Sequence, residues 1–201
     1  MRIRDVEAYF DRLFPKERGC PWDNDGLMVC SDREKRVSKI LTCLDVTFPA
    51  IEKAVAEGCD LIISHHPLIF SPITSVNEDS IIGQKILLLL HNNISLISLH
   101  TRFDGGENGL NERFAASLGI TFEDVILSKE EPFIGGIGFL PDKMSASSFA
   151  RLVSQSIQTS VRLYSAEMDI KRVGICCGSG KELVKPSLLE GADAFVGGDI
   201  P

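Results

Sequence analysis

No stretch of this chain approaches the roughly 20 consecutive apolar residues that a membrane-crossing helix needs. The longest apolar run, Ile86 to Leu90, is five residues. The N-terminus lacks the apolar core of a secretion signal, because Arg2, Arg4, Asp5, Glu7, Asp11 and Arg12 interrupt it. Basic charge is in deficit: 21 Lys and Arg stand against 28 Asp and Glu, a net charge of −7. That excludes the general basic surface of a nucleic-acid or anionic-membrane binder, though a small anion at a local site stays compatible. The six cysteines, at 20, 30, 43, 59, 176 and 177, contain no CxxC pair. GxSxG and HExxH patterns are absent as well, which removes two common hydrolase designs. Together these absences predict a cytoplasmic protein with reduced thiols, no membrane partner and no general nucleic-acid binding.

What is present reads as α/β. Residues 1–14 read as an amphipathic helix with Val6, Phe10, Leu13 and Phe14 on one side. Ile40 to Leu44 is apolar enough for a buried strand. Thr47 suits an N-cap and Pro49 a first helical turn, Gly58 can stop that helix, and Asp60 to Ser64 is a second strand. Strand, helix and strand in that order make a βαβ unit with parallel strands. Further helices are predicted over 80–91, 108–118 and 145–158. Further strands are predicted over 94–99, 135–140, 161–164, 173–177 and 194–196. Residues 40–66 also align without gaps on 173–199, matching Cys43 with Cys176, Glu57 with Glu190, Gly58 with Gly191 and Asp60 with Asp193. Either two βαβ units merely look alike, or the lobes descend from a duplication. The seam between lobes is expected after Ser128, giving lobes 1–128 and 129–201.

The chemistry concentrates at strand ends. Ser64-His65-His66-Pro67 closes one buried strand, and ligands gather at the carboxyl ends of strands in open α/β sheets. Adjacent strand side chains point to opposite sides. His65 and His66 therefore grip one ion only if the strand bends; otherwise they face two ions. The strand 94–99 ends in His100-Thr-Arg-Phe-Asp104. If the two strands are neighbours, His65, His66, His100 and Asp104 converge, gathering three of the four histidines. A histidine and carboxylate set suits a catalytic divalent metal with open positions. Gly178-Ser-Gly180-Lys181 opens a helix after a strand; a tight turn is the plainer reading and an anion site the sharper one. Trp22, the single tryptophan, sits in a polar Asp-Asn-Asp-Gly loop and reads as a packing anchor.

These motifs resemble the type 2 GTP cyclohydrolase I group, the Nif-three-like proteins. The resemblance rests on Trp22-Asp-Asn-x-Gly26-Leu27, Leu44-Asp-Val-Thr47, Asp60-Leu-Ile-Ile-Ser-His-His-Pro-Leu-Ile-Phe70, Ser98-Leu-His-Thr-x-x-Asp104, Gly178-Ser-Gly180 and Gly191-Ala-Asp-x-x-Val-Gly-Gly-Asp199. It implies two similar α/β lobes with parallel or mixed sheets and a homohexameric ring. It also implies two divalent ions per subunit (zinc, manganese or iron). By the same resemblance His65, His66 and Asp104 are metal ligands and His100 lies beside them in an outer shell. The family pattern continues past Gly-Asp-Ile to a Gly-His-x-x-x-Glu motif carrying further ligands, so the second lobe is expected to be C-terminally incomplete. Arg102-Phe103 stands where the family usually has Asn-Leu. The implied activity is hydrolytic opening of the imidazole ring of GTP with release of formate. The rivals are a dinuclear-metal phosphoesterase and a metal-binding regulatory protein without turnover.

Overall fold

The computed structural model describes residues 1–125, 134–164 and 168–199. The chain divides into two compact units, Met1–Lys16 with Pro21–Thr101, and Glu17–Cys20 with Arg102–Pro201. The seam expected after Ser128 lies outside the described residues. The division itself falls between Thr101 and Arg102.

The first unit contains α1 (Ile3–Leu13), β1 (Gly26–Val29), β2 (Ile40–Cys43), α2 (Phe48–Ala56), β3 (Leu61–Ser64), α3 (Ile81–His91) and β4 (Ser95–Ser98). Its sheet runs β1-β4-β3-β2, with β1 antiparallel to β4 and the other three strands parallel. The central strands are the driest: Leu61, Ile62, Leu96 and Ile97 are each fully buried. Full burial of such a side chain stabilises by roughly 1.5–3 kcal/mol relative to exposure. From α2, Ile51 and Ala54 pack on this core, and from α3, Ile86 and Leu89. The expected cap at Thr47 is in place, and Ser80 caps α3 in the same way. Thr47 Oγ1 accepts from Ala50 N–H, and Ser80 Oγ from Gly83 N–H. Gly58 ends its helix at φ +65°, a left-handed conformation that glycine adopts without strain.

Two expectations are corrected in this unit. β2 is not a buried strand: it is an edge strand, and Ile40 is 43% exposed. An apolar run does not reveal whether a strand will have one neighbour or two. In α1, Ile3 and Val6 are buried, as is Phe14 just beyond the helix, but Leu13 is largely exposed.

A short helix, α4 (Thr101–Asp104), spans the division. The second unit then holds α5 (Leu110–Ser117), β5 (Thr121–Val125), β6 (Gly136–Ser145), α6 (Ala146–Ile157), β7 (Asp169–Ser179), α7 (Lys181–Leu189) and β8 (Ala194–Asp199). Its sheet runs β5-β6-β7-β8, antiparallel except for the parallel β7–β8 pair. Ala115 and Leu118 of the α5 region and Phe149 and Val153 of α6 share a core with Val173 and Ile175. Residues 161–164 form no strand, contrary to expectation; Leu163 and Tyr164 are exposed, so the β-prone composition buries little there. Neither β1 nor β5 was anticipated.

The internal alignment holds at the level of individual hydrogen bonds. Adding 133 to α2 (48–56) gives α7 (181–189). The register Ile40↔Leu61 becomes Val173↔Ala194, and Cys43↔Ser64 becomes Cys176↔Gly197. Asp60 Oδ2 accepts from the N–H groups of Ser38 and Lys39; Asp193 Oδ2 accepts from those of Lys171 and Arg172. Gly58 and Gly191 both have positive φ. Generic βαβ geometry requires none of these side-chain correspondences, so they favour duplication.

Candidate metal centre

Three strand ends build the site in the first unit. β3 stops at Ser64, and the chain bends at His65 and His66. The bend resolves the geometric problem of adjacent strand side chains, because both imidazoles come to one side, 5.1 Å apart between ring centroids. A buried hydroxyl relay holds it. Ser64 Oγ donates its only proton to the His66 carbonyl at 2.9 Å, so Ser98 Oγ must donate to Ser64 Oγ, also at 2.9 Å. Ser64→Ala would take away the donor to the His66 carbonyl and strand the buried Ser98 hydroxyl. We expect a loss of about 1–3 kcal/mol in unfolding free energy, read by urea denaturation.

β4 delivers the third ring. His100 lies 5.2 Å from His65 and 5.7 Å from His66 between centroids. One ligating nitrogen from each of His65, His66 and His100 falls within 4.8 Å of the others. Tetrahedral zinc with bonds of about 2.0–2.1 Å sets its nitrogens about 3.3 Å apart, so small side-chain rotations would close the set.

Each ring is also oriented from behind. His65 Nδ1–H donates to the Leu99 carbonyl at 3.0 Å. His66 Nδ1 meets Asp45 Oδ1 at 2.8 Å, and His100 Nδ1 meets Asp23 Oδ1 at 2.9 Å. A carbonyl or carboxylate oxygen only accepts, so each neutral ring carries its proton on Nδ1 and its lone pair on Nε2. This is how metal-ligating histidines are commonly held. The donor set therefore fits a divalent cation.

The anchors differ in exposure. Asp23 keeps 4% of its side chain exposed and His100 18%; for Asp45 and His66 the figures are 57% and 46%. Burial would raise the Asp23 carboxyl, but hydrogen bonds from His100 and Thr101, with the His100 charge, hold it down at about 2. Burial also lowers His65 below an ordinary imidazole, helped by the neighbouring charges of His100 and His66. It is thus neutral, and able to ligate, at pH 7.

Not every predicted site residue joins this group. The trio comes wholly from the first unit, and His100, expected in an outer shell, supplies one of its three nitrogens. Asp104 closes α4 and belongs to the second unit. There its carbonyl accepts from Asn111 Nδ2 at 3.1 Å. Burial and the Asp104 charge push the Cys177 thiol up to about 12, so Cys177 is inert at neutral pH. All six cysteines are free thiols. Arg102 is 1% exposed. Gly178 and Ser179, expected in a tight turn, instead close β7, with Gly178 at φ +75°, and Gly180 is the N-cap residue of α7.

Sequence reasoning missed Asp23 and Asp45. Both lie beside motifs that were noticed, in loops whose polar residues read as turn chemistry. Trp22 is not a buried anchor: it is 49% exposed, as is Phe70, and the two rings meet edge to face 6.0 Å apart. Each also lies 6.4 Å from the His100 ring.

Two mixed four-stranded sheets, with a histidine cluster that could hold a metal ion at the strand ends of one of them, define an α/β protein with a candidate metal centre. Comparison with known proteins makes this specific. The Duf34/NIF3 (NGG1p interacting factor 3) family model matches residues 1–201, and the chain belongs to that family. A Clostridium perfringens GTP cyclohydrolase 1 type 2 homolog is 33% identical over 99% of this chain and 78% of its own length. The GTP cyclohydrolase 1 type 2 of Helicobacter pylori strain 26695 is 30% identical over 98% of this chain and 76% of its own. The crystal structure of a Staphylococcus aureus hypothetical protein superposes with a TM-score of 0.88 at 27% identity, covering all of this chain and 80% of that one. No described helix is long and apolar enough to cross a membrane.

Proposed function

We propose that this protein is a metal-dependent hydrolase of the type 2 GTP cyclohydrolase I kind, opening the imidazole ring of GTP with release of formate. One observation carries the reading: His65, His66 and His100 bring ligating nitrogens within 4.8 Å of one another. The names of the Clostridium and Helicobacter relatives supply the substrate class.

In this reaction water adds to the ring carbon between the two imidazole nitrogens, and one carbon–nitrogen bond breaks to leave a formamide. A second water cleaves the formamide, and formate departs with the carbon. When bound, a divalent ion (zinc, manganese or iron) supplies Lewis acidity and a water acidic enough to be hydroxide near neutral pH. His65, His66 and His100 would hold that ion through Nε2. Asp104 is proposed as a further ligand and a second ion as its companion, in a cytoplasmic homohexamer. The half-exposed Trp22 and Phe70 offer faces on which a purine ring can stack.

The test is formate release from GTP by protein loaded with zinc, manganese or iron. Turnover that disappears in His65→Ala supports the reading, and silence with all three metals overturns it. Trp22→Ala is expected to raise KM about tenfold while leaving kcat within a few-fold, as for lost uniform binding. The family description, naming an interacting factor, favours one rival: a metal-binding protein without turnover. Stoichiometric metal with no product from GTP would support it.

A further inference from the structure

We infer that Asp23 is the positioning residue of the centre, holding His100 in the one tautomer and ring orientation that present Nε2 toward His65 and His66. The inference rests on the proposed metal reading only for its consequence; the geometry stands alone. Both Asp23 oxygens are in use. Oδ1 accepts from His100 Nδ1 at 2.9 Å and from the N–H of Asn24 at 2.8 Å. Oδ2 accepts from the Thr101 N–H at 3.0 Å and the Thr101 hydroxyl at 2.6 Å. Only a carboxylate accepts on both sides.

Asparagine at position 23 must turn its NH2 toward one pair of donors. Thr101 is buried at 3% exposure, and leaving its N–H without an acceptor costs about 1–3 kcal/mol. Asn24 is exposed and water can take up its N–H. The amide oxygen therefore stays with Thr101 and the NH2 faces His100. That NH2 can donate only to a bare Nδ1, so the His100 proton moves to Nε2 and the lone pair leaves the centre. Tautomer exchange of this kind is what an aspartate-to-asparagine change does in a serine-protease triad.

Asp45 is the built-in control. It is exposed, and its side chain faces His66 Nδ1. An asparagine there can turn its oxygen to the ring, and His66 keeps its tautomer.

The experiment is nitrogen NMR of 15N-histidine-labelled, metal-free protein at alkaline pH, with zinc affinity from chelator competition. In the unsubstituted protein His100 is expected as the Nδ1–H tautomer. Asp23→Asn is expected to convert it to Nε2–H and to weaken zinc binding 10–100-fold, the usual penalty for losing an outer-shell partner. Asp45→Asn is expected to leave the His66 tautomer unchanged, because the amide oxygen can replace the carboxylate as acceptor. Two results would overturn the inference: an Nε2–H His100 in the unsubstituted protein, or an unchanged His100 tautomer in Asp23→Asn. The first needs no variant to fold. Failure of the unsubstituted protein to bind zinc would count against the metal reading instead, because the tautomers are read without metal.

Discussion

Alanine at His100 is expected to lower zinc affinity by at least about 100-fold, more than the loss of an outer-shell partner does. Removing one of three nitrogens leaves two imidazole donors to hold the ion. His65→Ala should do the same. His91→Ala is the matched control: it sits in the last turn of α3, outside the trio, and should change nothing. Elemental analysis and chelator competition check all three, and equal metal content in His100→Ala and the unsubstituted protein would refute the assignment. The pH dependence follows from His65. Its folded pKa lies below the ordinary 6.5, mainly through burial. Protons and metal compete for the same lone pair, so competition at His65 sets in at lower pH than for a free imidazole. Between the folded value and 6.5 the unfolded chain binds more protons than the folded one. His65 therefore subtracts from stability as pH falls from 6.5 through its folded value.

Asp60→Ala and Asp193→Ala are each expected to cost about 2 kcal/mol in unfolding free energy, since each strips an acceptor from two backbone N–H groups. The two share no hydrogen-bond partner and lie in different compact units. In a double variant the losses should add. Urea denaturation of the singles and the double reads this directly. A double variant no worse than either single would argue against two independently capped βαβ units. Asp60 adds an acid signature. Burial would raise its carboxyl, but the Ser38 hydroxyl and N–H, Lys35 and the Lys39 N–H together hold it well below 3.8. Its stabilisation is complete above 3.8 and is lost as pH falls through the folded value. Asp60→Ala should flatten that part of the stability profile.

The legibility of this fold was uneven for physical reasons. β3 and the histidines after it were readable because a dry central strand must be apolar, so imidazoles at its end stand out. The cap at Thr47 was readable because a hydroxyl before an apolar periodic run has one common use. β2 was read as buried because composition does not encode sheet order, and residues 161–164 were read as a strand because β-prone residues such as Val161 and Tyr164 also occur outside strands. The bend that unites His65 and His66 depends on a hydroxyl relay from Ser98, 34 positions away. Asp23 stayed hidden for a similar reason: its partner His100 is 77 positions on, and locally it belongs to a turn.

The offset of 133 carries a last implication. It turns each half of the molecule into a reference for the other, as paired samples do in a controlled trial. Asp60 and Asp193 coincide under the shift, each accepting from two successive backbone N–H groups of its own unit. His65 and His66 map onto Gly198 and Asp199, and Asp45 onto Gly178. The copies have thus kept their shared architecture and parted at the mouths of their strands, so subtracting one half from the other leaves the imidazoles as the residue of specialisation.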